Sequence, residues 1–148
     1  MKHVVQQRIK FGHCDPAQIA YYPRYFEWFH DAFEAMFEPI TGMHYATLIQ
    51  THGIGYPAVQ VACDYRAPAR WGELVDLEIF LSRLSERSAT FEYRVRREET
   101  LLATASVKIA SMDLKTQRSA PIPALVFQAL QPYVESDDVE LPDTSRIR

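Results

Sequence analysis

A chain of 148 residues is enough for a single domain that buries roughly two-thirds of the surface its unfolded form exposes. Its composition, 47% hydrophobic and 24% charged, is that of a folded globular protein, and a net charge of -3 argues against the basic stripe of a nucleic-acid binder. No run approaches the roughly 20 apolar residues of a membrane span, and the opening Met1-Lys2-His3-Val4-Val5-Gln6-Gln7-Arg8 lacks the apolar core of a signal peptide. The only cysteines, Cys14 and Cys63, make neither a disulfide framework nor a zinc motif, so the expected compartment is a reducing cytoplasm.

In chain order, residues 3–11 read as a strand with Val5 and Ile9 on one side, followed by a turn over residues 12–22. Residues 23–38 read as a helix. Arg24, Glu27, Asp31, Glu34 and Glu38 recur at spacings of three and four, and Tyr25, Phe29, Ala32, Phe33, Met36 and Phe37 fall opposite them. Trp28 and His30 lie on the flanks, and Pro39 is expected to end the helix. A shorter helix over residues 45–51 stops at Gly53, and Gly53-Ile54-Gly55-Tyr56-Pro57 is a cluster of structure breakers.

Four alternating segments follow, over residues 58–67, 73–84, 88–97 and 101–113. Their apolar faces are Val59, Val61, Cys63 and Tyr65; Val75, Leu77, Ile79 and Leu81; Phe91, Tyr93 and Val95; and Ala103, Ala105, Val107 and Ile109. Period-two alternation marks strands with one buried face, and the short links suit antiparallel hairpins. A turn over residues 113–118, a last short strand before Pro121, a helix over residues 123–130 and a loose polar tail from residue 135 complete the chain. The order predicts a single α+β domain spanning residues 1–148, with an antiparallel sheet wrapped around one long helix.

The chemistry concentrates in His13-Cys14-Asp15-Pro16-Ala17, just ahead of the long helix. A helix N-terminus offers unpaired N–H groups and a partial positive charge, while a carboxylate beside it offers a nucleophile or base. Pro16 disfavours helical backbone at Asp15, which keeps the acid in extended chain. The ordinary reading of Asp-Pro is a turn former. His13 and Cys14 beside it suggest a metal or a thiol nucleophile, but adjacent ligands rarely converge on one ion, and neighbouring side chains in extended chain point apart.

This element order, together with Phe11-Gly12-His13-Cys14-Asp15-Pro16-Ala17, Tyr22-Pro23, Tyr25 and Trp28, resembles the hotdog-fold thioesterases, and most nearly the 4-hydroxybenzoyl-CoA thioesterase family. The resemblance implies an acyl-CoA thioesterase. Asp15 then matches the catalytic carboxylate, and Tyr22 the residue whose backbone N–H polarises the thioester carbonyl. It implies substrate contacts at Tyr56, Pro57 and Ala58, with Trp28 and His30 as further pocket groups. His30 stands where the hydroxybenzoyl enzyme has an acid. Arg83 and Arg87 fall in the cluster that meets the phosphates of coenzyme A, though that cluster is thinner here.

No metal or organic cofactor is implied, since coenzyme A is part of substrate and product. The implied partners are the acyl-CoA substrate and further copies of the chain, as homodimer or homotetramer, without nucleic acid or membrane. An aryl or bulky acyl group is expected from the aromatic helix. The rival readings are a thioesterase acting on acyl carrier protein and a non-catalytic acyl-CoA-binding protein.

Overall fold

The structure is a computed structural model, and it describes residues 1–135. Among these residues the elements run β1 (His3–Arg8), α1 (Arg24–Thr41), α2 (Tyr45–His52), β2 (Ile54–Gly55), β3 (Ala58–Tyr65), β4 (Leu74–Leu84), β5 (Ser88–Arg97), β6 (Thr100–Ala110), β7 (Met112–Asp113) and α3 (Ala124–Leu130). Five strands form one antiparallel sheet in the order β1-β4-β5-β6-β3, and β2 pairs with β7 in a separate short ribbon. The sheet presents its apolar face to α1. The hotdog architecture read from the sequence is the fold observed.

The stripe on α1 explains the arrangement. Tyr25, Trp28, Phe29, Ala32, Phe33, Met36 and Phe37 are all buried, and the rings of Phe29 and Phe33 sit 4.8 and 5.0 Å from those of Tyr93 and Phe91 on β5. Each fully buried large side chain of this kind contributes about 1.5–3 kcal/mol from burial. The helix is therefore held to the middle of the sheet by its aromatic face.

Several boundaries differ from the sequence reading. Pro39 does not end α1, which continues to Thr41 and stops at Gly42 in left-handed backbone (φ 78°). Proline removes one N–H that would have reached the Ala35 carbonyl, but Ala35 lies on the exposed side where water can replace that bond. Gly42 N–H closes the end on the Glu38 carbonyl at 2.8 Å.

β1 ends at Arg8 rather than residue 11. The chain bends there because His13 Nδ1 accepts the Lys10 N–H at 2.9 Å and the His13 N–H donates to the Lys10 carbonyl, giving a 3-10 turn over Phe11–His13. Val59 does not share the face of Val61. A bulge between Ala58 and Gln60 brings Ala58 opposite Ile109 and Val61 opposite Val107, so Ala58 joins the inner face instead. The last short strand before Pro121 is a single bridge between Met112 and Ser119. The tail expectation falls on residues 136–148, which lie outside the described residues. Glu135 itself is tied down, its N–H donating to the Leu81 carbonyl and its carboxylate 2.8 Å from the amino group of Met1.

Candidate active site

The acidic loop is a small hairpin. Cys14 pairs with Ala20 and Ile19 with Arg70, and the Asp15 N–H reaches the Ile19 carbonyl at 3.0 Å. At the tip, Asp15 Oδ1 accepts the Ala17 N–H at 2.9 Å, an Asx turn that Gln18 completes in left-handed backbone (φ 67°). Asp15 is half-buried, and its second carboxylate oxygen has no hydrogen-bond partner among the described residues. Its neighbours are otherwise engaged. His13 is capped by Lys10, and burial together with Arg24 and Lys10 lowers its pKa below the ordinary histidine range. Cys14 Sγ donates back to the Lys10 carbonyl at 3.7 Å.

The start of α1 accounts for its backbone donors one by one. Ala20 N–H donates to Ala69, Tyr21 to His13, Arg24 to Tyr21, Tyr25 to Tyr22 and Phe26 to Pro23. Pro23 has none. Tyr22 alone in this stretch carries an N–H without an acceptor among the described residues. Its carbonyl is doubly held, by the Tyr25 N–H and by the phenol of Tyr65 on β3, which donates at 2.9 Å. The donor at the head of the helix is thus free among the described residues while the peptide that follows it is fixed.

Farther along α1 lies a cavity of about 270 Å³. Phe26, Phe29, His30 and Phe33 form its α1 wall, continuing the stripe that Tyr22 begins at spacings of four, three and four. Tyr22 lies two residues ahead of α1, and Phe33 follows Phe26 by about 10 Å of helix rise. Phe91 and Tyr93 on β5 and Val107 and Ile109 on β6 make the floor, with Tyr45 and Tyr56 at the far end. Ala58 and Val61 on β3 form the outer rim; both are exposed, so the cavity opens past that edge. No Asp, Glu, Lys or Arg lines it. Burial pushes the phenols of Tyr45 and Tyr56 up to about 12 and that of Tyr93 higher still, so all three are neutral hydroxyls.

The residues singled out in the sequence fall into separate groups. Tyr56, Ala58 and His30 line the cavity, His30 at its rim, 62% exposed and 3.7 Å from Glu34. Pro57 stands beside it and accepts the Ala110 N–H, but is not part of the wall. Trp28 is buried under the acidic loop, 5.3 Å from the His13 ring and 5.0 Å from Tyr25, and does not reach the cavity. Arg83 and Arg87 are exposed around the β4–β5 turn, and Arg87 donates to Ser119 Oγ at 3.3 Å. Tyr45, Phe91 and Tyr93 were not anticipated as site residues; the available signal was a phenol on the core-facing side of β5. Among the described residues no cluster of His, Cys, Asp and Glu is placed to hold a metal ion, and no helix is long and apolar enough to cross a membrane.

Residues 9–130 match the family model described as the thioesterase-like superfamily. The chain is 24% identical over 147 residues to a 1,4-dihydroxy-2-naphthoyl-CoA hydrolase of Picosynechococcus, covering 95% of this chain and 100% of that one. Among solved structures it is similar to a gentisyl-coenzyme A thioesterase (TM-score 0.75, 26% identity, 84% and 98% of the two chains). A 4-hydroxybenzoyl-CoA thioesterase carrying an Asp→Asn substitution, complexed with its substrate, shares the fold (TM-score 0.80, 23% identity, 87% and 98%). The chain belongs to the thioesterase-like superfamily, and it is a thioester hydrolase of the hotdog fold.

Proposed function

We propose that this thioesterase hydrolyses an acyl-CoA with an aryl or similarly bulky acyl group, releasing the free acid and coenzyme A. The observation that carries the reading is the unpaired Tyr22 N–H at the head of α1, beside a turn holding Asp15 and on the same stripe as an uncharged aromatic cavity. A thioester needs little further activation, because sulfur donates poorly into its carbonyl. What the chain supplies is charge stabilisation and an attacking group. The Tyr22 N–H donates to the carbonyl oxygen as it becomes negative, aided by the dipole of α1, and a donor of this kind is worth about 3 kcal/mol of transition-state stabilisation. Asp15 acts on the carbonyl carbon, either directly, forming a mixed anhydride, or through a water it deprotonates. Either route runs without metal or organic cofactor.

The relatives named above support coenzyme A as the leaving group. Arg83 and Arg87 are the cations assigned to its phosphates, and a weaker KM for acyl-CoA in R83A and R87A is the test of that assignment. A second copy of the chain pairing along β3 closes the open side of the cavity, as β3 has no strand beyond it among the described residues. The unpaired cysteines and the absence of a spanning helix among the described residues fit the cytoplasm, which fractionation of cells checks.

The deciding experiment is release of thiol from benzoyl, phenylacetyl, hydroxybenzoyl and straight-chain CoA esters, with wild type and Asp15→Asn. The variant is expected to lose at least about 100-fold in kcat, the scale of a lost acid–base role. Near wild-type turnover in Asp15→Asn would move the chemistry to another group.

A further inference from the structure

Tyr93 brings a hydroxyl to the core face of the sheet. It occupies a core-facing position of β5 between Phe91 and Val95, is only 3% exposed, and its ring lies tilted against Phe29 at 4.8 Å. Its hydroxyl makes no hydrogen bond among the described residues. Among the described residues, the side-chain polar atoms that are sealed without a partner are His3 Nε2, His52 Nδ1, Glu78 Oε2, Thr104 Oγ1 and Ser111 Oγ. The Tyr93 oxygen is not one of them, and the space its side chain adjoins is the aromatic cavity.

Phenylalanine would have packed against Phe29 equally well, so the oxygen adds nothing to the core and leaves a polar group seeking a partner. Tyr45 and Tyr56, with ring centres 6.3 Å apart, bring two more phenols without hydrogen bonds among the described residues to the other end of the same space. Size narrows the occupant further. A dry apolar cavity of about 150 Å³ admits one benzene ring. At about 270 Å³ this one takes two fused rings, or one ring with substituents. The absence of charged residues from its walls disfavours an ionised group at the inner end.

Resting on the thioesterase reading above, we propose that Tyr93 is a specificity-determining residue, whose hydroxyl pairs with an uncharged polar substituent, such as a phenolic hydroxyl, on a one- or two-ring aromatic acyl group. The thioester end of that group points along α1 toward Tyr22, and its substituted end lies against β5. A water molecule satisfying the Tyr93 oxygen in every complex is the competing account, and it predicts no dependence on the substituent.

The test compares 2-naphthoyl-CoA with 6-hydroxy-2-naphthoyl-CoA, and benzoyl-CoA with 4-hydroxybenzoyl-CoA, in wild type and Tyr93→Phe. In wild type kcat/KM should favour at least one hydroxylated ester by about tenfold or more, and in Tyr93→Phe that preference should fall toward unity, the loss in kcat/KM being larger on the hydroxylated ester than on its parent. Equal preference in both proteins, or an equal loss on both esters, overturns the assignment. Calorimetric binding of the free acids, 2-naphthoate and 6-hydroxy-2-naphthoate, gives a readout that needs no turnover. Hydroxyl-dependent binding that Tyr93→Phe abolishes, without hydrolysis of any ester, removes the catalytic reading and keeps this one. Hydrolysis with neither hydroxyl preference nor hydroxyl-dependent binding does the reverse, and loss of both readouts removes both.

Discussion

Replacing Tyr65 by Phe deletes one oxygen and leaves the ring in place against Tyr25 (5.0 Å) and Tyr22 (6.3 Å). The deleted oxygen is the donor to the Tyr22 carbonyl at 2.9 Å, so the change acts on the peptide that follows the free Tyr22 N–H without touching that N–H. A neutral hydrogen bond contributes about 0.5–1.5 kcal/mol net, and Tyr65 is 41% exposed, so water will partly replace it and the lower half of that range applies. If the bond serves to hold the donor in position, its loss appears in the chemical step, and about 0.5–1 kcal/mol is a two- to fivefold fall in kcat. KM should hold, and Tm should drop by roughly 1–4 °C. Burial raises the Tyr65 pKa well above the ordinary phenol value, so the group stays protonated and the deficit should be constant across neutral and mildly alkaline pH. The assay is steady-state thiol release as a function of pH, with thermal unfolding alongside. Full kcat with a lowered Tm would refute the positioning argument and leave the bond a purely structural one.

Two further outcomes follow from other parts of the molecule. The outer strand β3 carries Val59 and Val61, 58% and 47% exposed, with Asp64 as its sole charged residue, so it lacks the lysines or prolines that usually guard an unpaired edge. Sedimentation should find a dimer or a multiple of it, and Val61→Lys should shift the equilibrium toward monomer; a wild-type monomer at micromolar concentration counts against pairing there. Glu92, on the opposite face of the sheet, has its pKa raised by burial, an effect only partly offset by Ser82 Oγ at 2.8 Å and Ser106 Oγ at 3.1 Å. Its folded-state pKa exceeds the unfolded one, so it binds a proton more readily when folded, and its contribution falls as pH rises through that window. Glu92→Gln should therefore gain Tm relative to wild type at pH 7 and gain less at pH 4, and a gain that grows on acidification would contradict the sign.

The geometry of the helix head was readable because it depends on order along the chain. An acid, a proline and a helical stripe within a dozen residues state their relation locally, and the stripe from Tyr25 to Phe37 is buried as its period implies. The cavity was less legible, because it depends on which elements meet. Tyr45 comes from a helix of eight residues, Tyr93 from the third strand of the sheet, and Ala58 faces inward only because the bulge beside it breaks the two-residue period. Trp28 is a related case: its position on the flank of α1 is covered by the acidic hairpin folding back over it, through His13. Phe80 is another case, since it falls on the polar side of β4 yet is buried, with Lys2 and Arg94 packed over its ring. Alternation assigns a side chain to a face but does not say what lies across from it.

The proposed oxyanion donor belongs to the main chain rather than to a side chain, and that divides what mutation can reach. Every amino acid except proline would carry the same N–H at position 22, so the electrostatic part of the reaction is written into the route of the backbone and is nearly immune to substitution there. The rings at 26, 29 and 33 enjoy no such protection. On the proposed reading, exchanging one ring for another a turn or two down the helix changes the acyl group accepted while the donor at the helix head stays in place.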